Sequence, residues 1–522
     1  MNEEQIFRLA KPRRKGLLSL IFSRFLIIGV LLVLQVLIYF LFFSWLSHYA
    51  LIFSIVTICF TFAAILYVFS SRMDPTSKLT WMLVISILPL LGAVLLLYTR
   101  MNVGHRILKR KVESIIDQTK EAIPQSEELI EKLKKEGSHI PALVEYLSRS
   151  GCFPVYENTE VRYFSLGEQK FEAMLEELEK AERFIFMEYF IIEEGYMWGK
   201  ILEILIRKAA EGVDVRVMYD GMCEMSTLPA DYWKLLEKQG IRSKAFAAIH
   251  PVLSSHYNYR DHRKILVIDG KTAFNGGVNL ADEYINRIKR FGHWKDTAVM
   301  LKGDAVRSFT LLFLQMWNIT EKEPEFQPWI QETAGQARAA EGFVLPYGDI
   351  PLDEDKVGEM IYIDILNHAR DYVHIMTPYL ILDGELETAL KFAAQRGTDV
   401  KLILPGIPDK KMPYALAKTH YTALTRAGVK IYEYTPGFVH AKVCVSDDRK
   451  AVVGTINMDY RSLYHHFECA TYMENVSCIS EIEADFQDTL SVSSPVTEES
   501  IKHEKLSYVI TGFLMKLIAP LL

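Results

Sequence analysis

Apolar residues are unevenly spread along this chain. Residues 25–46, 49–69 and 79–98 are three consecutive runs almost free of charge, each about 20 residues long. Helices of that length can cross the roughly 30 Å hydrocarbon core of a bilayer. A cleaved signal peptide fits poorly, because the first run is long, begins late and is followed almost at once by the second. The pattern predicts a membrane anchor over 1–99 with two to three transmembrane segments. Lys11, Arg13, Arg14, Lys15 and Arg24 precede the runs, and Arg100, Arg106, Lys109, Arg110 and Lys111 follow them. Both clusters favour the cytoplasmic side, which three full spans would not allow. Either Pro89 and Gly92 mark a re-entrant third segment, or one of the first two runs does not span.

Residues 100–150 interleave Glu and Lys, as in Glu127 to Glu136, and predict a juxtamembrane helical linker. Its basic start suits anionic headgroups or a plain solvated face. Past residue 150 the pattern repeats. Ala181–Tyr189 resembles Ala369–Met376 with the following Thr377-Pro378-Tyr379. Each leads into a helical stretch, then Gly-x-Asp-Val (Gly212 to Val215, Gly397 to Val400), then an apolar strand, Arg216–Tyr219 or Lys401–Leu404. Strand, helix, strand in that order is a parallel unit of an α/β fold. Two such halves are predicted, 151–335 and 336–500, joined by a polar stretch around 321–342. In the tail, 501–522, Leu506, Val509, Ile510, Phe513, Leu514, Leu517 and Ile518 form one helical face. The spacing is consistent with packing on the body and with lying in a membrane interface.

Composition removes several function classes. Net charge is −6, so no global basic field attracts nucleic acid. The six cysteines (Cys59, Cys152, Cys223, Cys444, Cys469, Cys478) are scattered without a C-x-x-C, and suggest neither a disulfide framework nor a zinc site. Gly270-Lys271-Thr272 resembles the end of a phosphate-binding loop, but the upstream glycine would fall at Ile265.

The chemistry lies in a phrase that occurs twice. His262-Arg263-Lys264 through Asp269 reads H-x-K-x4-D, and so does His440-Ala441-Lys442 through Asp447. Counting from each His, Gly276 and Gly454 share one position, and Asn279 and Asn457 another. Such a five-position match arises by chance about once in three million starting points. On an extended strand His262 and Lys264 share a face, as do His440 and Lys442. Brought together about a pseudo-twofold axis, two imidazoles, two ammonium groups and two carboxamides suit a phosphodiester. Lys264, Lys442, Asn279 and Asn457 would bind the non-bridging oxygens. One His would attack phosphorus, and the other would protonate the departing oxygen and later deprotonate the incoming alcohol. A nucleophilic His needs its other nitrogen held, and Asp296 and Glu468 are the candidate orienting carboxylates. No metal and no cofactor is expected, because the lysines supply the positive charge. Asp269 and Asp447, each in a turn-like setting, complete the candidate catalytic set.

These residues resemble the phospholipase D superfamily and, within it, the bacterial cardiolipin synthases. The narrower resemblance rests on His262-Arg263-Lys264, Gly276 to Tyr284, Trp294-Lys295-Asp296-Thr297, Gly437 to Lys442 and Gly454 to Ser462, and extends to Trp81 through Gly92 and Ala519 to Leu522. It implies a duplicated α/β phospholipase D-like fold, with two pseudo-twofold-related mixed-sheet halves behind a transmembrane anchor, in a multi-pass protein of the bacterial plasma membrane. It also implies phosphatidyl transfer between two phosphatidylglycerol molecules, giving cardiolipin and glycerol through a phosphohistidine. By analogy the first-motif His is the nucleophile; the internal symmetry of the sequence does not decide this. A hydrolytic phospholipase D, or a phosphatidyltransferase using another lipid such as phosphatidylethanolamine, would carry the same motifs. The anchor and acidic balance disfavour a nuclease, and intact motifs in both halves disfavour a catalytically dead scaffold.

Overall fold

A computed structural model of the chain describes residues 50–71, 73–100, 103–247, 259–331, 339–353 and 355–519, with three isolated helical positions, Val33, Leu37 and Phe40. The apolar run at 25–46 otherwise lies outside the described residues. Two compact units are present, one holding the apolar helices up to Ile107 and the other running from Leu108 to Met515.

Among the described residues, one helix is long and apolar enough to cross a membrane, α1 (Ala50–Ser70). The third apolar run divides at the proline that marks it in the sequence. Asp74 caps α2 (Pro75–Ile87), its carboxylate accepting the Ser77 N–H at 2.8 Å. Pro89 disfavours helical backbone at the residue before it. Leu88 duly leaves the helix at φ −126°, ψ 72°, and α3 (Pro89–Arg100) starts afresh. Gly92 allows a close approach, since a Cβ there would stand 2.9 Å from the Ile85 Cα. At 13 and 12 residues, neither helix alone reaches across a hydrocarbon core.

In the larger unit the linker is not a free spacer. Helices α4 (Val103–Thr119), α5 (Glu127–Lys135) and α6 (Ile140–Ser150) bury Val112, Ile115, Leu129, Leu133, Leu143 and Leu147 in the main core. Ser126 caps α5 through the Leu129 N–H, and the acidic first turn and basic last turn complement the helix dipole.

The first half contributes β1 (Thr159–Phe164), β2 (Phe184–Tyr189), β3 (Asp214–Asp220), β4 (Arg242–Phe246), β5 (Arg260–Asp261), β6 (Lys264–Ile268), β7 (Thr272–Gly276), β8 (His293–Lys295) and β9 (Ala298–Gly303). The second contributes β10 (Phe343–Asp349), β11 (Tyr372–Met376), β12 (Asp399–Pro405), β13 (Lys430–Tyr434), β14 (Gly437–Val439), β15 (Val443–Ser446), β16 (Lys450–Gly454), β17 (His466–Glu474) and β18 (Ser493–Pro495). One sheet runs β1-β9-β7-β6-β2-β3-β4, the other β10-β17-β16-β15-β11-β12-β13-β18. Apart from the added β18, the two orders are the same. Both sheets are mixed: β2–β3 and β11–β12 pair in parallel, whereas β2–β6 and β11–β15 are antiparallel. Helix α7 (Tyr196–Ala210) carries the chain from β2 to β3, α8 (Val306–Asn318) is buried along almost its whole length after β9, and α9 (Gly384–Gln395) carries the chain from β11 to β12. The motif strands β6 and β15 lie inside their sheets and are wholly buried, which is why they read as unbroken apolar runs.

Candidate active site

Each histidine sits on a short stretch of chain stitched to the other half. β5 pairs in parallel with the start of β17, and the His262 N–H donates to the Phe467 carbonyl at 2.9 Å. β14 pairs likewise with β8, and the His440 N–H donates to the Lys295 carbonyl at 2.7 Å. Glu468 lies on β17, and Asp296 directly follows β8. The orienting carboxylates are therefore exchanged. Nδ1 of His262 lies 2.9 Å from each oxygen of Glu468, and Nδ1 of His440 lies 2.6 Å from Oδ2 of Asp296. With Nδ1 so held, Nε2 is the nitrogen left for chemistry. The carboxylates are themselves positioned: the Thr297 N–H donates to Asp296 at 2.9 Å, and the Thr455 hydroxyl donates to Glu468. Gly277 makes room for Asp296, since a Cβ there would stand 2.1 Å from Oδ1.

The lysines share the histidines' face. Lys264 donates to the carbonyl of His262 at 2.6 Å. Lys442 donates to the carbonyl of His440 and lies 2.9 and 3.1 Å from its ring nitrogens. Asn279 is tied into the protein, its carbonyl accepting the Ile191 N–H at 3.1 Å and its amide donating to the Tyr284 hydroxyl at 2.8 Å. The second amide hydrogen of Asn279 remains for a substrate oxygen. The carbonyl oxygen of Asn457 is buried without a hydrogen-bond partner, an acceptor suited to a hydroxyl.

Asp269 and Asp447, grouped above with the catalytic residues, accept hydrogen bonds from backbone N–H groups. Both stand at positive φ, 52° and 55°, in the turns that leave the motif strands. Asp269 accepts the N–H groups of Glu182, Arg183 and Phe184 at 2.8–2.9 Å. Asp447 accepts those of Arg370, Asp371 and Tyr372 at 2.8–2.9 Å. Each pins the turn to the strand beside it. Four residues of extended chain, at about 3.3 Å each, stand between the aspartate and its motif lysine.

The two pairs are electrostatically unequal. Burial drives His262 well below the usual imidazole range, aided by Lys264, His466, Lys442 and His440. Burial likewise drives Glu468 well above the carboxylate range, against the pull of Lys264. His440 is pushed down to about 4 by burial and Lys442, with Asp296 opposing. Burial would raise Asp296, but His440 and Lys442 hold it below its ordinary value, so it stays ionised. Burial lowers Lys264 to about 8 and Lys442 to about 7.

Several residues at the site carry no signal of their own in the sequence. Phe190 meets the His262 ring edge-on at 4.9 Å, and the His466 ring is 5.3 Å away. Tyr284, Trp294 and Phe438 surround His440 at 5.3–5.8 Å. Lys170, buried and lowered to about 7 by that burial, donates to the Val278 carbonyl at 3.2 Å. Trp294, Phe438 and His466 lie next to residues singled out above and could have been suspected; Phe190 and Lys170 read as ordinary strand-end and helix residues. His262, His466 and Glu468 could together hold a metal ion. Nδ1 of His466 is 3.6 Å from Oε1 of Glu468, and an ion there would compete with the hydrogen bond that orients His262.

Two buried, carboxylate-held histidines, each with a lysine two residues on, set in duplicated mixed sheets, define a phospholipase D-like site for phosphodiester transfer. The family model described as "Cardiolipin synthase, PLD-like domain" matches residues 174–317 and 362–490, one segment in each half. An uncharacterized protein of Streptococcus mutans is 59% identical over 459 residues, 88% of this chain and 99% of that protein. Cardiolipin synthase 2 of Bacillus anthracis is 34% identical over 457 residues, 87% of this chain and 88% of its own. A cardiolipin synthase of a Geobacillus species is 35% identical over 454 residues, 86% of this chain and 89% of its own. The crystal structure of phosphatidylserine synthase from Haemophilus influenzae shares the fold, with a TM-score of 0.53 at 14% identity over 71% of this chain and 95% of that one. The chain belongs to the cardiolipin synthase family of phospholipase D-like proteins.

Proposed function

We propose that this protein is a membrane-bound phosphatidyltransferase that converts two phosphatidylglycerol molecules into cardiolipin and glycerol. The named relatives support the substrate class, and the unequal histidine pairs carry the mechanism. Groups whose surroundings push their protonation apart take different roles in acid–base chemistry. His262, held through Nδ1 by Glu468 and kept by burial well below the usual imidazole range, retains a lone pair on Nε2 and is the nucleophile. His440, facing an ionised Asp296, is the more readily protonated of the two and is the general acid. In the first step Nε2 of His262 bonds to phosphorus as the bond to the glycerol oxygen breaks, and His440 gives that oxygen its proton. The product is a phosphatidyl-His262. In the second step the headgroup hydroxyl of another phosphatidylglycerol loses its proton to His440. Its oxygen bonds to phosphorus, and the phosphorus–nitrogen bond breaks. Lys264 and Lys442 hold the charge on the non-bridging oxygens, with Asn279 and Asn457 alongside.

Helix α1 and the apolar run at 25–46 support a multi-pass anchor in the cell membrane. The mechanism is tested by a neutral quench during turnover of phosphatidylglycerol, followed by peptide mass spectrometry. A phosphatidyl adduct on His262, absent in His262→Ala, is expected. An adduct on His440 would reverse the roles.

A further inference from the structure

Helix α10 (Lys411–Arg426) precedes α11 (Ile479–Ser491) in the chain and supports α12 (Leu506–Ile518). One side of α12 packs tightly: a Cβ on Gly512 would stand 2.4 Å from the Ala415 carbonyl oxygen, the Tyr508 ring meets Tyr414 at 5.6 Å, and Glu504 just before the helix pairs with Lys418. The opposite side is bare. Leu506, Val509, Ile510, Phe513, Leu514 and Leu517 are 40–72% exposed. At about 100° per residue they fill an arc roughly 140° wide with no polar residue inside it. A helix that is apolar on both faces belongs in a core or a membrane.

We infer that this face of α12 lies in the interface of an anionic phospholipid bilayer, as a second membrane contact in addition to the N-terminal anchor. Charge selects this occupant over a second copy of the chain. Lys502 is paired with Glu498 at 3.8 Å and Glu504 with Lys418, while Lys505 precedes the face and Lys516 borders it, cations placed as on an interfacial helix on acidic lipid. Two copies meeting there would oppose like charges. The support also points toward the reaction. The segment before α10 exposes Ile407 and carries Lys410. Asp409 in that segment accepts the Tyr379 hydroxyl at 2.7 Å, Tyr379 lies 6.5 Å from Phe438, and Phe438 lies 5.8 Å from His440. Seating α12 in the bilayer holds the general acid's wall of the site beside the lipid surface from which the substrate is drawn. This last point rests on the proposed function; the membrane contact itself does not.

The test uses full-length protein in phosphatidylglycerol/phosphatidylethanolamine vesicles. Five of the six cysteines are buried, so Cys59→Ser with Phe513→Cys leaves one accessible thiol for a nitroxide label. Ile510→Cys serves if the first variant does not fold. The expected result is strong relaxation by oxygen and weak relaxation by a water-soluble nickel chelate. Strong relaxation by nickel would place the face in water and overturn the inference. Weak relaxation by both, with spin–spin broadening, would mean a second copy and overturn it equally. Paired Phe513→Glu and Leu514→Glu should lower turnover of vesicle phosphatidylglycerol about tenfold or more while sparing monomeric short-chain phosphatidylglycerol. A bilayer-seated label on a protein that turns over no lipid would leave this inference standing and sink the proposed function.

Discussion

Asp296→Asn probes the exchange of carboxylates between the halves. Asp296 is buried, ionised and 2.6 Å from Nδ1 of His440. The substitution keeps the shape but removes the charge that favours a protonated His440, already pushed down to about 4. A hydrogen bond to a charged group is worth about 1.5–3 kcal/mol, and leaving a buried partner unsatisfied adds about 1–3 kcal/mol. A loss near 3–4 kcal/mol corresponds to about 100- to 1000-fold in kcat. The pairing also determines which step suffers. A p-nitrophenyl phosphatidyl ester has a leaving group that needs little help from an acid. Asp296→Asn should slow phosphatidylglycerol turnover by that factor yet keep a p-nitrophenol burst within about tenfold of wild type. Glu468→Ala, which removes the group holding His262, should lose both. Burst amplitude and steady-state rate, measured on variants with unchanged circular dichroism, give the answer. If Asp296→Asn abolishes the burst as Glu468→Ala does, Asp296 serves the nucleophile and the crossed assignment is wrong.

Activity and stability should respond oppositely to pH. Lys442 at about 7 and Lys264 at about 8 must stay protonated to hold the phosphate, so kcat/KM should fall as pH rises from 7 to 9. Their pKa values, with that of Lys170 at about 7, lie below the unfolded value of roughly 10.4. In that window the unfolded chain binds more protons, so the melting temperature should rise from pH 7 to 9; parallel trends would refute the buried-lysine account. Asp447→Ala should cost about 2–3 kcal/mol of stability by orphaning backbone N–H groups, while kcat per folded molecule stays within about threefold; a stable but inactive variant would return Asp447 to the catalytic set. EDTA should leave activity intact and added Zn2+ should inhibit it, less so in His466→Asn. Activity lost to EDTA and restored by metal would overturn the two-histidine mechanism.

Much of this was legible in the sequence because the duplication repeats every key position. The doubled motif placed the histidines and lysines, and the repeated strand–helix–strand order anticipated both sheets. Gly276 and Gly454 recur at one position of the repeat, and a Cβ on either would lie within 2.6 Å of the neighbouring strand's backbone. The exchange of Asp296 and Glu468 was not legible. It depends on β5 and β14, two and three residues long, too short to show a period. Asp269 and Asp447 recur as faithfully as the histidines, and recurrence alone does not separate a scaffold carboxylate from a catalytic one. The third apolar run has the composition of a span, and Pro89 divides it into two shorter helices.

The most direct test of the central claim is product analysis with detergent-purified protein and phosphatidylglycerol as the sole lipid, resolved by mass spectrometry. Cardiolipin appearing together with released glycerol is the predicted result. Phosphatidic acid with glycerol would mean that water, not a second lipid, opens the intermediate, and would contradict the transferase account.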